Sequence, residues 1–578
     1  MTDKDLKPKP GRPRDALQSR LPSLRQQVLL HAGKAGMRGR WSKSHIKSSQ
    51  LSRGMGIGLM ARGGIVAPGS RRVIVRARYT SIVAGDLGAA RAHLNYIQRD
   101  GVTREGHPGQ LYDANSDLAE AAGFLDRSVG DPHQFRFIVS AEDSARLGDL
   151  KPFVRDLMAQ MERDLGTKLD WVAVDHFNTG HPHSHIVIRG KDDRGKDLVM
   201  ARDYIGYGVR ARAQGLITFQ LGPETQIERL QKLRAEMDQE RLTSLDRSIL
   251  AKSTNGFLVL DADQTQPARA TLRIGRLRTL QRLGLAEERR PGVWQLDGKA
   301  ELKLRQLGER ADKFKMMQRA LREAGIDRAA AALALFEKAP RKTPLIGKVI
   351  GVGMVDEITD RTWVVIDAVD GHVHYAELGR LTADVVPKRG MLVALAGGNA
   401  LERPSRVPKL HVLSRVAVER LSAYEGPTWL DQAMASGWKP DASLPGISAE
   451  LRSAFTARQQ WLGNRQLGPL TDELVVTPPL LAKLRTMETE RLAASLSTDL
   501  KATFVRRLPG ERVHGIYDHA IETPTGRLAV IRDQDTFTLA PWKPALEPMR
   551  GLQVSGSISP NRAVWSLDRG RSLPQRGT

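Results

Sequence analysis

The sequence predicts a chain of mixed α+β/α/β class. Three observations carry that expectation: strand-like and helix-like segments alternate between residues 72 and 240, an arginine-rich helical stretch follows, and four short strands recur at regular spacing between 345 and 415. The expected layout is a basic tail (1–70), a domain on a central, mostly antiparallel sheet flanked by helices (71–242), and a helical, winged-helix-like DNA-binding region (243–340). A small β-barrel-like domain (341–420) and a mixed α/β C-terminal region (421–578) complete it.

Residues 1–70 hold 14 Lys and Arg against three acids, Asp3, Asp5 and Asp15, with little apolar periodicity, which predicts a disordered basic tail. Order begins at Arg72, where Val73, Val75 and Ala77 alternate with Ile74, Arg76 and Arg78 as a strand. Leu87, Ala90, Leu94 and Ile97 recur at helical spacing between Asp86 and Arg99, and Gly101 is a natural stop. Phe135–Ser140 reads as a strand, and Leu150–Leu165 as an amphipathic helix with Pro152 in its first turn, where no amide partner is lost. Trp171–His176 and His183–Arg189 read as strands, and 201–241 as helix interrupted by glycines before Pro223. Strands alternating with helices in this way form one domain around a sheet.

From Ser244 to Leu296 two helices precede a basic turn, Glu288-Arg289-Arg290-Pro291-Gly292, between apolar stretches. In a winged helix the second of these, Ala270–Leu283 with Arg273, Arg276, Arg278 and Arg282, would face DNA; a helical linker with a solvated basic face fits the same composition. Gly347–Val355, Trp363–Ile366, Val373–Leu378 and Met391–Ala396 suggest a small barrel or sandwich. Beyond Leu421, helices give way to strands at Arg527–Ile531 and Leu552–Ile558.

Lys and Arg number 89 and Asp and Glu 65, a formal charge of +24. A folded chain with that excess most commonly meets a polyanion, because neutralising phosphates is the usual work of a basic surface. The absence of cysteine excludes disulfide scaffolds, thiolate nucleophiles and cysteine-ligated zinc, so any metal must be held by His, Asp or Glu. No apolar segment follows the charged N-terminus and none approaches a membrane span, so the expected protein is cytoplasmic, without membrane insertion.

Four of the 14 histidines fall within ten residues, in Asp175-His176-Phe177-Asn178-Thr179-Gly180-His181-Pro182-His183-Ser184-His185. If the strands at 171–176 and 183–189 pair as a hairpin, His176 stands opposite His183 with Cβ atoms roughly 4.5–5.5 Å apart, and His185 projects to the same face. Ile186 and Ile188 then alternate with Val187 so that the two isoleucines point away from the imidazoles. Three neutral ligands leave coordination positions open and the cation's charge available to polarise a phosphate oxygen. His181, fixed next to Pro182, is the alternative third ligand. With no cysteine, a nucleophile must be Ser, Thr or Tyr; Tyr96 lies one position off the apolar stripe of its helix and should reach out of the core, three residues before Arg99, a bidentate phosphate binder by type.

Together, His176–Arg189 and His93–Gly101 resemble the motifs of the conjugative relaxases. These are tyrosine DNA-nicking enzymes of the His-hydrophobic-His endonuclease superfamily, in the branch with plasmid mobilisation and T-DNA border nucleases. The resemblance spans about residues 72–240. It implies that Tyr96 is the nucleophile and His176, His183 and His185 the divalent-metal ligands. The reaction so implied leaves a free 3′-hydroxyl and a 5′-phosphotyrosine on an oriT strand. Implied partners are single-stranded oriT DNA, relaxosome accessory proteins and a type IV secretion coupling protein. Ser184 stands where the superfamily carries an apolar residue, so His181/His183 and His183/His185 both remain compatible as the strand pair, and Arg189 stands where many members have Asn. Tyr204 and Tyr207 are alternative or second nucleophiles.

A phenol is mostly protonated at neutral pH, and Glu142, Asp143 and Asp175 are the candidate bases. Arg99, Arg189, Arg210 and Arg212 are the candidate phosphate binders. The expected metal is Mg²⁺ or Mn²⁺, with Zn²⁺ also suited to three imidazoles. Competing readings are a rolling-circle replication initiator, a non-catalytic DNA-binding accessory protein with a structural metal, and a metal-dependent phosphodiesterase that uses water.

Overall fold

The structure is a computed structural model that describes residues 53–63, 69–82, 87–99, 102–177, 181–260, 267–336, 343–356, 361–381, 385–397, 407–467, 476–508, 510–559 and 562–566. The expected tail up to residue 52, the helix start at Asp86 and the stop at Gly101 lie outside them. The chain divides into two compact units, residues 1–310 and 311–578. Mixed α and β content with mostly antiparallel sheets agrees with an α+β protein.

The first unit opens with a helix, α1 (Met55–Arg62), inside the segment expected to be disordered. Met55 and Ile57 pack against the core under the sheet, and glycine lets the helix approach closely: a Cβ on Gly58 would sit 2.4 Å from the backbone nitrogen of Tyr204. Arg53 anchors its start through Asp192, at 2.9 Å. The elements that follow are β1 (Val73–Ser81), α2 (Gly88–Ile97), α3 (Ala121–Arg127), β2 (His133–Ala141), α4 (Lys151–Leu165), β3 (Trp171–His176) and β4 (His183–Arg189). After these come α5 (Val209–Leu221), preceded by a π-turn over Tyr204–Gly208, and α6 (Gln226–Glu236). The short helix α3 was not foreseen.

The strands form an antiparallel sheet in the order β1-β2-β4-β3. Alternation assigns its two faces. Val73, Val75, Phe135, Phe137, Val139, Trp171, Ala173, Ile186 and Ile188 pack under α4 and α5, where Phe153, Val154, Leu157, Met158 and Met161 of α4 form the helical stripe. Gly166 ends α4 in the left-handed region at φ 65°, its amide bonded to the Glu162 carbonyl. On the other face Val172, Val174 and Val187 meet Ala90, Leu94 and Ile97 of α2 and Phe124 and Leu125 of α3.

Within the same unit, α7 (Ser244–Lys252), β5 (Phe257–Val259), α8 (Pro267–Arg282), β6 (Ala286–Arg290) and β7 (Val293–Leu296) enclose a separate core of Ile249, Leu258, Leu277, Leu280, Trp294 and Leu296. The sheet order is β5-β7-β6, with β6 and β7 closing an antiparallel hairpin after α8. One arginine expected to face DNA does not. Arg276 is fully buried, pairs with both oxygens of Asp246 at 2.7 and 2.8 Å, and donates to the carbonyls of Met237 and Arg241. Asp246 also closes the capping box of α7 with Thr243. Composition alone does not separate such a clamp from a surface charge.

The helix α9 (Ala300–Ala324) leads into the second unit. There β8 (Leu333–Leu335), β9 (Leu345–Asp356), β10 (Arg361–Ala368), β11 (Val373–Arg380), β12 (Leu392–Ala396) and β13 (Lys409–Ser414) form a six-stranded sheet in the order β13-β12-β9-β10-β11-β8. The long β9 pairs with β12 at its start and with β10 along the rest. After α10 (Trp429–Ala435), α11 (Ile447–Asn464) and α12 (Pro478–Leu500), a second six-stranded sheet is built from β14 (Thr503–Phe504), β15 (Arg512–Thr523), β16 (Gly526–Asp533), β17 (Thr536–Pro541), β18 (Gln553–Ser559) and β19 (Arg562–Ser566). Among the described residues, no helix is long and apolar enough to cross a membrane.

Candidate metal centre

The hairpin β3–β4 pairs His176 with His183 and Val174 with His185, so the three imidazoles share the α2 face of the sheet while Ile186 and Ile188 enter the opposite core. Ring centroids are 5.3 Å apart for His176 and His183, 4.3 Å for His176 and His185, and 5.1 Å for His183 and His185. One ligand nitrogen from each lies within 4.8 Å of the other two. Tetrahedral ligation at 2.0–2.1 Å needs nitrogens about 3.4 Å apart, a gap that small side-chain rotations close. His176 and His185 are deeply buried, and His183 sits nearer the rim at 9% exposure.

Backbone carbonyls orient two of the rings. His176 Nε2 is 2.7 Å from the Ile97 oxygen and His183 Nδ1 is 3.0 Å from the His181 oxygen. A carbonyl only accepts, so each of these ring nitrogens carries a proton, and the lone pair is left on Nδ1 of His176 and Nε2 of His183. Fixing a ligand histidine through its second nitrogen is the ordinary outer-shell device of imidazole metal sites. This donor set therefore suits a divalent cation. His181 is exposed and supplies its carbonyl, so the three imidazoles that meet are His176, His183 and His185.

The loop between the strands is held by two hydroxyls that the sequence did not single out. Ser140 at the end of β2 and the buried Ser144 both donate to the Pro182 carbonyl, at 3.2 and 2.9 Å. Serine near a strand end is too common to mark such a role in advance.

Tyr96 lies in the last turn of α2, half-buried at the edge of the cluster formed by Leu94, Ile97, Val174 and Val187. The hydrogen bond from His176 to Ile97 joins the residue after Tyr96 to the imidazole group. The guanidinium carbon of Arg99 is 4.1 Å from the centre of the Tyr96 ring, and Arg99 also donates to the Tyr96 carbonyl at 3.2 Å.

The other expected site residues are dispersed. Asp175 points to the face opposite the imidazoles, where its Oδ1 accepts from Tyr112 Oη at 2.7 Å and Ser184 Oγ at 2.6 Å. Burial pushes its carboxyl up to about 6, although the two hydroxyls pull the other way. Asp143 is partly buried, and its pairing with Arg71 at 2.7 Å and with Lys232 outweighs burial and holds its carboxyl below the ordinary range. Glu142 pairs with Lys232 at 3.2 Å. All three carboxylates thus serve other contacts.

Among the arginines, Arg189 is clasped by Asp131 at 3.0 and 2.9 Å and by Asp170 at 3.1 Å. Arg212 binds Asp164 at 2.9 and 2.8 Å. Both arginines are thus held by carboxylates of the same unit. Arg210 is exposed and makes no side-chain hydrogen bond or ion pair among the described residues. Tyr204 is fully buried and donates to Asp164 at 2.9 Å, which removes it as a second nucleophile in this conformation; Tyr207 is 42% exposed.

Fold and site together define an α+β protein with a three-histidine candidate metal centre on an antiparallel hairpin. Residues 273–406 and 402–574, just over half of the chain, match a family described as a protein of unknown function (DUF3363), and the chain belongs to that family. The histidine trio precedes the matched residues. No curated protein and no solved structure matches the chain.

Proposed function

We propose that the chain is a site- and strand-specific DNA relaxase that nicks an oriT strand by transesterification, in conjugation or plasmid mobilisation. One observation carries the reading: three imidazoles converge on one sheet face, and one of them is hydrogen-bonded to the turn of α2 that holds Tyr96. A divalent cation, Mg²⁺ or Mn²⁺, or Zn²⁺ by its liking for imidazole, would supply positive charge to the non-bridging oxygens of one phosphodiester.

The chain's own residues do the rest. Tyr96 Oη attacks phosphorus in line; the Oη–P bond forms and the P–O3′ bond breaks. The phenolic proton goes to water and the departing 3′-oxygen takes one up, since the three expected carboxylate bases are engaged elsewhere. One phosphodiester replaces another, so the step needs no nucleotide cofactor and runs backwards to rejoin the strand. Arg99, over the Tyr96 ring, holds that ring and brings a fixed positive charge to its face. On this reading the partners are single-stranded oriT DNA, relaxosome accessory proteins and a type IV secretion coupling protein.

The test is incubation of the full chain with labelled single-stranded DNA from its own transfer locus and Mn²⁺, followed by mass spectrometry of any protein–DNA adduct. The expected result is a 5′-phosphotyrosine at Tyr96, absent from Tyr96→Phe and from metal-free samples, with DNA binding retained. Nicking without an adduct, or an adduct that survives Tyr96→Phe, would overturn the reading.

A further inference from the structure

Two clefts in the first unit share one arginine. The first, about 320 Å³, lies beside the start of β1 between Arg72, Ile74 and, from α5, Arg210 and Gln214. The second, about 450 Å³, is bounded by Arg72 and α6 on one side and by Lys252 of α7 with Arg269 and Arg273 of α8 on the other. The acids in that second cleft are occupied. Glu224 binds Lys232 at 2.8 Å and Arg229 at 3.2 Å, Glu142 binds Lys232 and, at 3.8 Å, Arg72 itself, and Glu236 accepts from the Ser244 amide and hydroxyl. Lys252, Arg269, Arg273 and Arg210 make no side-chain hydrogen bond or ion pair among the described residues, so four cations face the clefts without a protein counter-charge.

The clefts connect to the imidazoles through the sheet. Ile74 pairs with Ser140, whose hydroxyl holds the Pro182 carbonyl next to His183. Arg76, two residues on and on the same face, pairs with Ile138, which pairs with His185. A chain of polyanion leaving the metal centre across β2 and β1 therefore meets Arg76, then Arg72 and Arg210, then the α8 cations.

We propose that this path is a track for a single DNA strand, continuous with the strand at the metal centre and ending in the cleft bounded by α7 and α8. The proposal rests on the relaxase reading for the identity of the strand. A single strand is favoured over a duplex because the clefts take about one or two nucleotides at a time, and because cations spaced along a groove follow a phosphate backbone without reading its bases.

The experiment uses the full chain, short and long labelled oligo(dT), and a salt titration of affinity. For single strands each phosphate neutralised contributes roughly 0.7 to the slope of log K against log salt. The Arg269→Ala/Arg273→Ala double variant should lose about 1.4 of that slope for the long strand, with about a tenfold weaker affinity at physiological salt, and should bind the short strand as before. Arg210→Ala, on a different element, should lose about 0.7, which keeps the test decisive if the double variant misfolds. Unchanged slopes in both variants overturn the track while leaving the adduct at Tyr96, and with it the nicking reading, intact. Slope losses without any adduct keep the track and sink the nicking reading.

Discussion

His176 Nε2 lies 2.7 Å from the carbonyl oxygen of Ile97, so the last turn of α2, which carries Tyr96, and the end of β3 are tied together. That bond sets the ring's tautomer and leaves Nδ1 as the donor atom, while the equivalent bond from His183 Nδ1 leaves Nε2. The two ligands thus use different nitrogens, an arrangement that their shared strand register alone does not specify.

If these nitrogens hold a cation, binding stabilises the folded chain by mass action. At a hundredfold excess over the dissociation constant, Mn²⁺ or Zn²⁺ should add about 2.7 kcal/mol, seen as a rise in melting temperature that a chelator reverses. His185→Ala should abolish the rise. His181→Ala should leave it unchanged, because the ring of that exposed residue is not one of the three that converge and the substitution keeps its carbonyl.

The Pro182 carbonyl accepts from Ser140 and Ser144, and these hydroxyls fix the loop that presents His183. The Ser140→Ala/Ser144→Ala variant removes no ligand. It should weaken metal affinity by about tenfold, in the range for lost outer-shell contacts. Calorimetric titration of metal into both proteins checks this, and equal affinities would show that the loop is held by its own geometry.

Arg276 with Asp246 and Arg458 with Asp431 are the same device built twice. In each, a Thr–Asp capping box starts a helix, and a fully buried arginine from a later helix grips the Asp and several backbone carbonyls. Removing either arginine strands a buried carboxylate, so Arg276→Ala and Arg458→Ala should each cost roughly 3–5 kcal/mol. Denaturant unfolding of each variant measures this; a loss near that of a surface pair, below about 1 kcal/mol, would mean that water replaces the guanidinium.

The contrast between imidazoles and arginines explains what the sequence could disclose. A two-residue period places 176, 183 and 185 on one face as soon as the hairpin is recognised, and Trp171–His176 and His183–Arg189 are strands over the expected residues. Arginine carries no such period. Arg189, Arg212 and Arg276 look like Arg210 in sequence, yet the first three meet carboxylates from distant segments, a pairing that only the tertiary fold creates. The helix α1 was hidden for a related reason: it is a short apolar stretch inside a basic, Gly- and Ser-containing segment, and its contacts, Met55 and Ile57 on the core and glycines against the turn at Tyr204, are made only in the tertiary fold. That Asp175 faces away from the imidazoles follows from the same alternation that found the ligands: a residue adjacent to His176 on a strand must face the other way.

Asp175 offers a pH signature that is separable from metal chemistry. Its carboxyl is buried, which raises its titration from the ordinary Asp value to about 6. A carboxyl that binds its proton more tightly folded than unfolded makes the folded state relatively more stable when protonated. The benefit is complete below about pH 4 and is lost as pH rises through about 6, a penalty of about 3 kcal/mol at neutral pH. Both hydroxyl hydrogen bonds end on one oxygen, Oδ1, which Asn retains. Asp175→Asn should therefore keep the contacts to Tyr112 and Ser184, melt higher than the unmodified chain at pH 7, and converge with it near pH 4. Melting curves of the two metal-free proteins from pH 4 to pH 8 isolate the effect as a difference, because the histidines are common to both. A variant that is less stable at pH 7 would mean that the ionised carboxylate has a favourable counter-charge, and Lys151, whose charge already lowers the Asp175 titration, is then the residue to substitute next.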